Sequence, residues 1–113
     1  MEPWKKLSEL PIEGLDRGTL IAFSASYPFE ERVVMMLSEH RMGSESFDLL
    51  TITGYKAGVN PYVVLPDECL LSSDVRLVSV EWLVTNWTRW VWPEGDPNNV
   101  WVRPSLDATE IWH

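Results

Sequence analysis

The sequence predicts an α+β fold: a single, mostly antiparallel sheet, one or two helices packed on one of its faces, and a Trp-rich hairpin at the C-terminal end. Three observations predict it. Short apolar runs recur between clusters of Gly, Pro and Asn. Two longer segments space their apolar side chains at helical intervals. The resulting order is strand, helix, three strands, helix, hairpin, which one sheet carrying helices on a face accommodates. The 113 residues fit one compact domain over 1–113, with 1–17 as a lead-in and 105–113 as a tail.

In the lead-in, Trp4, Leu7, Leu10 and Leu15 are isolated apolar anchors among charges, which reads as a short helix or irregular segment lying on the domain. Thr19 to Ala25 alternates with small or apolar residues on both faces, as a strand does when it is at least partly covered on each side. A helix is expected from about Tyr27 to Met42. Ser26 serves as its cap, Pro28 sits in the first turn where an amide proton is not needed, and Gly43 takes the left-handed end. Phe29, Val33, Met36, Leu37 and His40 then form one stripe. Phe47–Thr53, Tyr62–Leu65 and Val75–Val78 read as strands, with Gly54 to Pro61 as a loop and Leu70–Leu71 leading into a turn. Val80, Leu83, Val84, Trp87 and Val91 keep helical spacing behind Ser79. The helix is expected to run from Val80 to about Thr88, followed by an extended piece from Arg89 to Trp92 closed by Pro93. The run Glu94–Asn99 is a strong turn signal, so Val100–Arg103 is expected to pair back on that piece.

Charge narrows the function. The chain carries 17 acidic and 9 basic residues, a net charge of −8. The acids are spread, 8 in residues 1–45 and 9 in 46–113, so they do not form a separate tail. Phosphate backbones and anionic leaflets repel such a surface, which argues against nucleic-acid and membrane partners and for a basic protein. The sole cysteine, Cys69, and an N-terminal segment without a long apolar stretch point to a cytoplasmic setting.

Tests for chemistry find little. Cys69, His40 and His113 are too few for a zinc site, and the calcium-loop spacing is absent, so no metal is expected. Cys69, His40 and Asp67 make a nucleophile, base and orienting group only on paper. Carboxylate pairs arise by accident among so many acids. The loop Gly54-Tyr55-Lys56-Ala57-Gly58 lacks the length and Lys-Ser/Thr ending of a phosphate cradle. No catalytic residue and no cofactor is expected.

The odd feature is tryptophan. There are seven, and Trp82, Trp87, Trp90 and Trp92 fall within eleven residues. A small core does not easily hold all of these, because each indole is large and its N–H wants an acceptor. Trp87 lies on the helical stripe and suits the core. Trp82, Trp90, Trp92 and Trp101, among Glu81, Glu94, Asp96 and Asp107, suit an interface, where tryptophan is an enriched anchor and acids select a basic partner. The competing reading is that the aromatic cluster simply fastens the hairpin to the sheet.

Trp82-Leu83-Val84-Thr85-Asn86-Trp87, Trp90-Val91-Trp92-Pro93 and Val100-Trp101-Val102, on a small acidic frame, resemble the immunity proteins that bacteria encode beside polymorphic or contact-delivered toxins. The resemblance lies in size, charge, aromatic content and lack of catalytic residues, and covers the whole chain without a diagnostic motif. It implies a protein that binds one cognate toxin tightly and performs no reaction. Two alternatives stand beside it: a small-ligand or peptide-binding module with an indole-lined pocket, and a small enzyme.

Overall fold

The computed structural model describes residues 4–27, 29–40, 46–104 and 107–112. The strands are β1 (Lys5–Lys6), β2 (Gly14–Leu15), β3 (Leu20–Ser24), β4 (Arg32–Glu39), β5 (Phe47–Thr51), β6 (Val63–Val64), β7 (Leu70–Ser72), β8 (Val75–Ser79) and β9 (Trp101–Arg103). The helices are α1 (Val80–Trp90) and the short α2 (Ala108–Ile111). The fold is α+β and every strand pairing is antiparallel. The strands divide between two sheets, a six-stranded one in the order β1-β9-β3-β4-β5-β6 and a three-stranded one in the order β2-β8-β7.

Register decides which side chains meet. Ile21 lies opposite both Met35 and Val102, Phe23 opposite Val33, and Leu37 opposite Leu49, so all share one face of the larger sheet. That face is buried and packs with Leu83, Trp87 and Val91, a stripe at i, i+4 and i+8 along the end of the chain's main helix. Each such fully buried side chain stabilises the fold by about 1.5–3 kcal/mol. Trp87 meets Phe23 edge-on at 5.1 Å between centroids. The helix starts where expected: Ser79 Oγ accepts the Trp82 amide at 3.1 Å, with Glu81 in the first turn and Arg89 in the last.

Several expectations are corrected. Within the segment expected as a helix over 27–42, residues 32–39 form β4 instead. Its burial alternates, Val33, Met35 and Leu37 inward and Val34, Met36 and Ser38 outward, because β3 and β5 bond it on both sides. The expected Pro28 turn and Gly43 helix end lie outside the described residues. The C-terminal hairpin does not form. Arg89 and Trp90 complete α1, and β9 pairs with β1 and β3 rather than with 89–92. The lead-in, expected as a short helix or irregular segment lying on the domain, supplies β1, a 3-10 turn at Leu7–Glu9 and β2, with Leu7 and Leu15 buried. Leu70 and Leu71 lead into a turn at 73–74, as expected, and do so as part of β7 in the smaller sheet.

Candidate functional site

The face of the larger sheet turned away from α1 carries a depression. Trp101 lies opposite Ala22 on one side and Lys6 on the other, and Ala22 lies opposite Val34. A large ring beside a methyl group leaves a hollow of about 620 Å³, walled by Trp4, Trp101, Arg32, Ser24 and Asn99 over an Ala22 and Val34 floor. Lys6 Nζ stands 5.6 Å from the Trp101 ring centroid, which steadies the indole from behind. The Trp101 Nε1–H points to Asn99 Oδ1 at 3.4 Å.

Ser24, Phe23 and Asn99 also belong to a smaller pocket of about 160 Å³, completed by Trp87, Glu94, Gly95 and Asp96. The two hollows therefore adjoin along these three residues. The loop that shapes the small one is fixed locally. Gly95 N–H donates to Trp92 O at 2.9 Å. Asp96 Oδ1 accepts the Asn98 amide at 2.8 Å and caps a 3-10 turn that opens on Pro97. Glu94 and Asp96 are exposed at its mouth, and Trp87 is fully buried behind it.

Three of the eight residues singled out from sequence thus line these adjoining hollows, Trp101 the larger and Glu94 and Asp96 the smaller. Glu81, Trp82 and Trp90 are brought together elsewhere, on the flank of α1. Glu81 and Trp82 border a shallow groove with Glu68, Leu70 and Asn86, and the Trp82 and Trp90 rings lie 6.1 Å apart. Both indoles are half-buried. Trp92 is half-buried too, packed at 5.9 Å from Phe29 and 6.4 Å from Phe23. Asp107 is exposed and serves α2: its carboxylate accepts the Thr109 amide and hydroxyl, each at 2.9 Å, and these bonds lower its pKa. Sequence reasoning missed Arg32, Ser24 and Asn99 as neighbours of Trp101. Arg32 had been placed on a helix, and only the β3–β4 pairing carries it there.

The paper triad does not assemble. Cys69 is buried, and its thiol is pushed up to about 11, mainly by burial and then by the Asp67 charge, so the thiolate is disfavoured. His40 lies instead with Nε2 against the fully buried Asp48, whose other oxygen accepts the Ser38 hydroxyl. Among the described residues, no group of three or more His, Cys, Asp or Glu side chains is placed to hold a metal ion. No described helix is long and apolar enough to cross a membrane.

What the site does offer is half-exposed indole, carboxylate and guanidinium around a preformed hollow, which is binding chemistry. No curated protein and no solved structure matches the chain. A family model described as Immunity protein 45 matches residues 7–102, which spans β2 to β8, α1, and the Glu94–Val102 segment that lines the depression. The chain belongs to the Immunity protein 45 family, and its role is non-catalytic, the neutralisation of a toxin through protein–protein contact.

Proposed function

We propose that the chain neutralises a basic cognate toxin by direct docking over the adjoining hollows at Trp101, Asn99 and Glu94. The observation that carries this reading is the placement of a half-exposed indole and two exposed carboxylates at two adjoining hollows. Trp101 is the apolar anchor. Glu94 and Asp96 select positive charge at one end, and Arg32 at the other end fixes the orientation of the partner. The net charge of −8 extends the attraction beyond the contact itself. The Trp82–Trp90 flank, with Glu68 and Glu81, lies apart from the depression and contributes long-range charge to encounter rather than anchoring.

The test uses the cognate toxin. Trp101→Ala should weaken the complex by about 30-fold, the effect of losing an anchor worth roughly 2 kcal/mol, with the circular dichroism spectrum unchanged. Glu94→Gln with Asp96→Asn should slow association at low salt and leave dissociation nearly as it was. Full affinity in a folded Trp101→Ala variant would remove the depression as the docking site.

A further inference from the structure

The hollow beside Trp101 carries a charge opposite to that of the molecule. The chain has 17 acids against 9 bases. Among the described residues, the one charged side chain that lines the hollow is nonetheless a cation, Arg32. Strand alternation puts it there, since Arg32 lies opposite Ser24 on the same outer face as Val34 and Ala22. Arg17 pairs with Asp16 and Glu39, Arg76 with Glu39, and Arg103 with Glu110, whereas Arg32 forms no ion pair with any described residue. Arg89 also lacks one, but it stands in the last turn of α1, where the helix dipole favours a cation. Lys6, 5.6 Å from the Trp101 ring centroid, adds to the positive potential at the hollow. Arg103 stands 5.9 Å from the Trp4 ring, but its charge is answered by Glu110.

Those charges decide what the hollow can receive. A lysine or arginine from a basic toxin could stack on an indole. Here Lys6 already stands beside the Trp101 ring, and Arg32 would repel the newcomer in a partly enclosed space, where charges are screened less. An apolar side chain would fill the space but strip water from the guanidinium and offer it no acceptor. A carboxylate accepts the planar fork of Arg32 through two oxygens. Its methylene stem can lie on the Ala22 and Val34 floor. Ser24 and Asn99 supply further donors on the same wall, for the Asn99 oxygen accepts from Trp101 and leaves its NH₂ to donate.

We propose that the hollow receives an acidic side chain, aspartate or glutamate, from the toxin, held through both carboxylate oxygens by the Arg32 guanidinium. The contact surface is then of mixed sign: Arg32 holds an acid, while Glu94 and Asp96 in the adjoining hollow meet bases. The assignment rests on docking over these hollows, and it can fail by itself.

The experiment measures association and dissociation of the cognate toxin with Arg32 variants of the full chain, each checked for folding by circular dichroism. The sign of the effect is the readout. Were Arg32 only a surface cation, Arg32→Glu would make the protein more acidic and tighten its hold on a basic toxin. Set against a toxin carboxylate, the same change should speed dissociation by about 100-fold, far beyond any roughly twofold gain in association. Arg32→Gln should speed dissociation by about 10-fold. Arg32→Lys keeps the charge without the fork and should fall between Arg32→Gln and the unaltered protein. Replacing one Asp or Glu of the toxin by Lys should then restore tight binding to Arg32→Glu. If Arg32→Glu does not fold, Arg32→Gln and Arg32→Lys carry the test. Dissociation no faster than that of the unaltered protein, or no toxin acid whose reversal restores binding, overturns the proposal. That result with Trp101→Ala still weakening the complex removes the acid contact alone. Trp101→Ala and the Arg32 variants all neutral remove the docking surface itself.

Discussion

Trp87 fills the centre of the core, edge-on to Phe23, and its truncation leaves the largest cavity a single change can make there. Trp87→Ala should cost about 3–5 kcal/mol in urea unfolding, and a loss below 1 kcal/mol would show that the core closes up around the gap. Cys69 makes a different kind of prediction. Burial shields the thiol and raises it to about 11, so iodoacetamide at pH 8 should modify native protein at least tenfold more slowly than unfolded protein, as read by mass spectrometry. Equal rates would contradict the buried placement. At the chain's far end Asp107 is held low by the Thr109 amide and hydroxyl, and Glu110 by Arg103, which donates two bonds to it at 2.7 and 3.0 Å. A carboxylate lowered on folding contributes stability above its unfolded pKa, and that contribution is lost as pH falls through the folded one. Attachment of α2 should therefore be intact at neutral pH and lost below the ordinary carboxylate range, about pH 4. The Thr109 amide shift reports it, and an unchanged shift at strongly acidic pH would sink the assignment.

Among the elements, α1 is the one the sequence states most clearly, since its cap, stripe and terminal charges agree. Ser79→Ala removes the acceptor for the Trp82 amide and should cost about 1 kcal/mol in thermal or urea unfolding. The stripe was legible, yet the helix was expected to stop near Thr88, because Trp90, Val91 and Trp92 have a composition that also suits strands. Only the tertiary setting decides: Val91 and Trp92 amides both donate back to Trp87 O. The segment 32–39 shows the same limit from the other side. Phe29, Val33, Met36 and Leu37 do keep helical spacing, and Val33, Met35 and Leu37 equally keep the strand period. Eight residues are too few to separate the two periods, and partners far along the chain, β3 and β5, settle it. The hairpin expectation failed for a related reason. Turn residues at 94–99 announce a reversal, but not which strand lies waiting after it, and β9 enters between two strands from the N-terminal part.

For the whole molecule, charge and aromatic content identified the kind of protein, while the site's membership depended on distant pairings. Glu94, Asp96 and Trp101, which the proposed function takes as contact residues, are near neighbours in sequence, the first two in the loop before β9 and the third at its start. Arg32, Trp4 and Ser24 join them only through the sheet. An encounter steered by the −8 charge should slow by roughly tenfold as added salt shortens the screening length from about 8 Å to about 3 Å, with dissociation little changed, in stopped-flow mixing with the toxin. A salt-independent association rate would count against a basic partner. The strand order has a separate outcome. The larger sheet ends on β1 and β6, each two residues long, and β1 consists of two lysines. Outermost strands so brief, one of them cationic, give a second copy almost no backbone ladder to extend. Copies crowded together should stay free of thioflavin-binding fibrils, which suits an antidote that must be stockpiled before its poison arrives.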